Sequence, residues 1–449
     1  ADINIKTNDG FDYSGSIASD GFKLGQLIQV PQSVGQVSLN LTVNGSGVEP
    51  KTMRVKANGT VQSIELLNYR YNNVSIDGEL ANLVFNGNLG VKDTNIRLGF
   101  KGAVDFNSQL PLITADFDVQ KLALAPLNLM PSDTHGVFSG NLKLQLKGSS
   151  SDDINGMFRL IEPSYRNEDY VLGLDSVLLI DNLFPGGHEI TLKSDILNAA
   201  VKGRTNLIDL PVALLKVGNY YMPNYVNQPD LAKVDTLQSF TYNLEVLNER
   251  EWLGFFIPNW KSSNIYLSGE LNMNRNEFTM CSDTITAAMK STKINGIVVD
   301  AWSSDEHLYL NFNVHDLVVS EELELDNLII NNDIHNDTLN TDIHWRNLTE
   351  RADSGGVNFM VFRMQNSSWK GVLNALEIRL AQTNWKSIRP ATFETDSVSL
   401  SINKLDLVSE NGRIKCDGTV DQMANTRLEL LVQNFDLSYL SDFGLVSKP

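Results

Sequence analysis

The residues best suited to chemistry in this 449-residue chain are six histidines, two cysteines and a large set of carboxylates. Asp333-Ile-His335 and Asp342-Ile-His344 each put a carboxylate and an imidazole two residues apart. On a strand that spacing places both on one face, where a metal site could use them or water could solvate them. Asp300, Asp305 and Glu306 offer carboxylate pairs of the kind glycosidases use, although 54 acidic residues make such neighbours common. Cys281 and Cys416 are too few for a disulfide framework and read as isolated small apolar residues, a single bridge between them being left open. No Cys-x-x-Cys or Cys/His spacing suggests zinc, and no nucleophile elbow, phosphate-binding glycine loop or metalloprotease helix motif is present. The expectation is a non-enzymatic protein with no catalytic residues, no cofactor and no metal.

The elements that would position any site read overwhelmingly as strands. Apolar residues alternate with polar ones in Val37, Leu39, Leu41, Val43; in Leu142, Leu144, Leu146; in Leu308, Leu310, Phe312, Val314; and in Leu428, Leu430, Val432. Val398, Leu400 and Ile402 do the same and, after a one-residue slip, Leu405 and Leu407 follow. Each row gives a strand one dry face and one wet face, the mark of antiparallel sheet. Gly78, Gly140, Gly269, Gly296 and Gly418 read as openings of strands, and Lys92–Asn95 and Asn331–Asp333 as turns. Apolar-Asp-apolar tails close several rows: Phe117-Asp118-Val119, Leu405-Asp406-Leu407 and Phe435-Asp436-Leu437. This ordered recurrence predicts a repeat of about one strand per 8–12 residues, or about forty strands.

Prolines 211, 223, 229 and 258 interrupt the pattern. The chain therefore divides into a repetitive β segment over 1–210, an irregular, partly helical, aromatic-rich insert over 211–262, and a second repetitive segment over 263–449 that continues the same sheet. Short helices are expected at Val212–Val217 and Glu249–Phe256.

An apolar content of 42% supports a substantial buried surface. The formal net charge of −18 argues against nucleic acid as a partner and against docking onto an anionic lipid surface. No window reaches the roughly eighteen apolar residues that span a bilayer. The chain reads as a mature form or, from its ending at Ser447-Lys-Pro449, as a piece of something longer.

The Gly418–Leu440 phrase resembles the repeat of the AsmA-like envelope proteins. More narrowly, nearly the whole chain resembles an internal part of the TamB family (translocation and assembly module subunit). Four stretches carry the likeness by their order. They are Gly140–Gly148 followed by Asn155-Gly156 and Pro163-Ser-Tyr165, then Leu192–Gly203, Tyr221-Met-Pro223 and Trp385–Pro390. The resemblance implies an elongated, mainly antiparallel β-sheet folded lengthwise into a trough, the β-taco, apolar inside and polar outside. It also implies a periplasmic protein anchored in the inner membrane by a part of the parent chain not present here. A barrel-type outer-membrane assembly protein would bind through a region outside this segment. Its expected work is to carry phospholipid acyl chains between the two membranes and to support outer-membrane protein assembly. The dry face is then assigned to Leu39, Leu41, Leu142, Leu144, Leu310, Phe312, Leu400, Ile402, Leu428 and Leu430 as a lipid groove. Alternation alone fits a closed β-sandwich or solenoid, acting as an adhesin or scaffold, equally well.

Overall fold

The computed structural model describes residues 2–435 apart from 8–10, 28–31, 109, 151–152, 169, 207, 233, 249–251, 254–256, 320–323, 348–352, 365–367, 381–382 and 423–425. The chain is all-β: its described residues form 30 strands in antiparallel sheet and two short helices, Leu24–Leu27 and Leu210–Tyr221. The strand total is below the forty expected from turn spacing because many strands are long. Val34–Ser46, Arg54–Leu66 and Tyr69–Ala81 each run to 13 residues.

Short hairpin turns fix the register of these strands. Leu67-Asn68, Asn82-Leu83, Asp305-Glu306 and Asn336-Asp337 all have positive φ at both positions, the backbone of a two-residue turn whose twist matches the strands it joins. Asp305 and Glu306 are thus turn residues, and Asp300 sits mid-strand opposite Cys281 and Asn311. Lys92–Asn95 is a turn as expected, closed by Asp93 donating its N–H to the Ile96 carbonyl at 2.9 Å.

Two sequence expectations are corrected. The five glycines read as strand openings all lie inside strands, for example Gly78 within Tyr69–Ala81 and Gly418 within Arg413–Asp421. Gly418 has φ +133, and a Cβ there would overlap the Arg427 carbonyl oxygen, so this position needs a residue without one. Asn331–Asp333 is not a turn but the interior of the strand Glu324–His335, because cross-strand partners outweigh the local turn preference of asparagine. The slip after Ile402 is a β-bulge in which Lys404 takes φ 63 and pairing resumes at Leu405.

The chain forms two compact units, residues 1–199 and 200–449. In the first, strands from Asp2–Lys6 to Gly187–Ser194 pair mostly with their sequence neighbours. Its buried apolar residues are few: Val37, Val61, Ile96, Ala115, Ala123, Leu127 and Ile190. In the second unit, strands from Ser239–Val246 to Arg427–Gln433 pair in a similar order. Here the helix Leu210–Tyr221 starts with Pro211 in its first turn, where a missing N–H costs nothing, and Pro223 follows its end. It docks on the turn after Asn272: Lys216 Nζ donates to the Met273 carbonyl and to Asn276 Oδ1, both at 2.6 Å, and Tyr221 donates to the Asn276 carbonyl. Ala213, Val217 and Tyr221 are buried, as are Phe240, Leu271 and Met273. The insert predicted over 211–262 therefore begins with a helix, and it also contains the strand Ser239–Val246. The helix expected at Glu249–Phe256 falls largely outside the described residues.

Candidate functional site

In an antiparallel pair, residues directly opposite share a face, so a register traces rows across successive strands. In the first unit one such row runs Ile17, Leu41, Gly59, Ile76, Leu89, Phe100, Phe117, Leu142, Leu160, Val177. Leu41 and Leu142, 101 positions apart in the numbering, thus belong to one continuous apolar ridge. Leu39 lies in the next row, with Val61, Val74, Val91, Leu98 and Val119. Leu144 lies in the row on the other side, between Ala115 and Phe158.

That third row is built of small residues for much of its course: Ala57, Gly78, Gly87, Gly102, Ala115. Rings from the flanking rows lie across it. A Cβ on Gly78 or Gly87 would meet the Phe85 ring, and one on Gly102 the Phe100 ring. Phe100 and Phe117 are themselves 5.0 Å apart. Small residues here lower the floor between two apolar ridges.

The second unit repeats the arrangement. Phe312 stands in the row Val299, Phe312, Ile330, Ile343, Val357, Leu376, and Leu310 in the adjoining row with Met280, Ala301, Phe359 and Leu373. A third row joins Leu308, Ile334, Leu339, Val361, Gly371, Phe393, Ile402, Gly418 and Leu428. Leu400 pairs with Val420, and Leu430 with Cys416.

None of the ten assigned groove residues is buried by its own unit. Leu39, Leu41, Leu142, Leu144, Leu310, Phe312 and Ile402 are part-exposed, while Leu400, Leu428 and Leu430 are exposed by 41%, 43% and 63%. The alternation picked out these positions but missed Phe100, Phe117, Phe158, Ile330 and Phe359. The hairpin turns carry the signal for them, since they set which residues stand opposite one another.

Two polar pairs interrupt the apolar face. His188 Nδ1 lies 2.8 Å from Asp181 Oδ1, both buried, and Asp181 opposes Gly156 and Ile190. Asn332 and Thr341 fall in the Leu310 row and hydrogen-bond to each other. At the far side of this row Tyr242 donates to the Thr279 carbonyl at 2.9 Å, and burial, with Cys281 nearby, pushes its phenol up to about 12. In the first unit Lys56, Asp77, Glu79, Asn88, Lys101 and Asp116 line a shallow concavity of about 480 Å³.

The histidine motifs resolve into ordinary pairings. His344 lies 3.0 Å from Asp342, as the spacing predicts. Asp333, however, takes His307 at 2.6 Å, and His335 pairs with the Glu306 carbonyl while stacking on His307. Among the described residues no group of three or more His, Cys, Asp or Glu is placed to hold a metal ion. Cys281 is exposed and Cys416 buried, and both are free thiols. No helix among the described residues is long and apolar enough to cross a membrane. Comparison with protein-family models, with curated proteins and with solved structures finds no match to this chain.

Proposed function

We propose that this chain is a non-enzymatic segment of a periplasmic bridge, a trough whose apolar face carries phospholipid acyl chains between inner and outer membranes and supports outer-membrane protein assembly. In this reading the parent protein is anchored in the inner membrane and meets a barrel-type outer-membrane partner, both through parts beyond this segment. The likeness to the TamB family motivates the reading. The observation that carries it is the set of apolar rows in register whose assigned residues stay part-exposed or exposed. A sheet with a continuous apolar face must bury it against something, and a packed second sheet would take its inward residues out of water. An acyl chain laid along such a face gains about 0.8 kcal/mol per methylene removed from water. Rows of near-equivalent leucines and phenylalanines offer many similar resting places, so a chain can slide without a deep trap.

The test is binding of a fluorescent-tailed phospholipid to the purified chain and to Leu310→Lys. The reading expects saturable binding that Leu310→Lys weakens strongly while the fold persists. Absence of binding by the wild type would overturn it.

A further inference from the structure

Asp406 lies in the strand Ser399–Val408 and its side chain is only 2% exposed. Its neighbours Leu405 and Leu407 register with Cys416 and Ile414, while Asp406 opposes Lys415, which puts it on the other face from the apolar rows. Arg413 satisfies the carboxylate, with Nε donating to Oδ1 at 2.8 Å and Nη2 to Oδ2 at 2.7 Å. Two more cations crowd the same oxygen, Arg389 Nη2 at 3.7 Å and Lys415 Nζ at 3.8 Å, both beyond hydrogen-bond reach. Among the described residues neither of these two head groups has a hydrogen-bond partner.

The bidentate Arg413 guanidinium makes the hydrogen bonds to this carboxylate, while Arg389 and Lys415 act on it through charge alone and keep their own N–H donors uncommitted to it. Three cations against one carboxylate leave a local surplus of positive charge in a chain of net charge −18. All three head groups keep substantial exposure, whereas the carboxylate is covered. The cluster thus presents unused N–H donors to solvent around an anchored, immobilised Arg413.

We propose that this cluster binds a phosphate monoester or inorganic phosphate. Arg389 and Lys415 are its direct contacts, and Asp406 is the positioning residue that holds Arg413 and sets the spacing. A phosphomonoester carries about −1.5 to −2 charge at neutral pH and three acceptor oxygens, which matches the surplus charge and the free donors. The site is on the face opposite the apolar rows and does not depend on the lipid reading.

The experiment uses the whole chain at low ionic strength. Inorganic phosphate is titrated calorimetrically, and phosphatidylcholine vesicles with and without phosphatidic acid are tested by flotation. The same measurements are made on Arg389→Gln/Lys415→Gln and on the charge-retaining Arg389→Lys/Lys415→Arg. Neither variant touches the Asp406–Arg413 pair, and an unchanged thermal midpoint verifies the fold. Should the neutral double variant fail to fold, Arg389→Gln alone takes its place. Phosphate binding that weakens at least about tenfold in the neutral variant and returns in the charge-retaining one is the expected result. Binding only to vesicles containing phosphatidic acid, lost in the same variant, also supports the site and assigns the phosphate to a lipid headgroup. No binding of either probe, or equal binding by wild type and neutral variant, would overturn the proposal.

Discussion

Thr341 and Asn332 stand opposite each other on adjacent strands within an otherwise apolar row, the Thr341 hydroxyl donating to Asn332 Oδ1 at 2.9 Å. Asn332 Nδ2 in turn donates to the Leu310 carbonyl at 2.8 Å. Both residues are buried although the leucine beside them is not. Thr341→Val leaves Asn332 Oδ1 without this donor and should cost about 1–3 kcal/mol. Asn332→Leu/Thr341→Val removes both polar groups and should recover most of that loss. Urea unfolding of the wild type, the two single variants Thr341→Val and Asn332→Leu, and the double variant measures the coupling, and strictly additive losses would show that the pair is not a unit.

Asp406 gives the account a pH dependence. The hydrogen bonds from Arg413, opposed by desolvation and reinforced by the charges of Arg413, Lys415 and Arg389, hold its carboxyl below the ordinary 3.8. A carboxyl lowered in the folded state contributes stability that is present above its unfolded pKa and is lost as pH falls through the folded value. Stability of the second unit should therefore decline more steeply below about pH 4 in the wild type than in Asp406→Asn. Parallel pH profiles for the two proteins would refute this.

Gly418 separates a spatial requirement from a turn preference. Gly418→Ala forces a Cβ toward the Arg427 carbonyl at a φ that side chains avoid. The expected cost is about 1–3 kcal/mol, concentrated in the hairpin formed by Arg413–Asp421 and Arg427–Gln433. Hydrogen exchange should quicken for amides of these two strands and stay unchanged in residues 1–199.

Leu310→Lys reports on how filled the apolar face is. At a part-exposed position the lysine stem can lie along the face with its amine in water, so the loss should stay near about 1–2 kcal/mol. A packed core would instead lose about 4 kcal/mol or more, with global unfolding at moderate temperature.

What could be read from the sequence follows from the range of the forces involved. Alternation at Leu142, Leu144 and Leu146 depends on one strand alone and places all three on one face, as the register shows. The slip between Ile402 and Leu405 was likewise visible, because a bulge shifts the alternation by one. Asn331–Asp333 misled because asparagine favours turns locally, while its actual partners, Leu310, Thr341 and His307, lie on other strands. Gly78 misled for a related reason, since the Phe85 ring that rests on it can be placed only once the pairing is known. The Leu-Asp-Leu motif at 405–407 was apparent as a pattern, but nothing local links Asp406 to Arg389.

The central claim is that the apolar face meets lipid, and site-specific photocrosslinking tests it most directly. A photoreactive side chain is placed at Leu144 or Phe312 on that face, and at Lys143 or Asn313 on the opposite one, in cells that make the protein. The account predicts phospholipid adducts at Leu144 and Phe312 and none at Lys143 and Asn313. Adducts equally frequent at all four positions, or absent from Leu144 and Phe312, would contradict it.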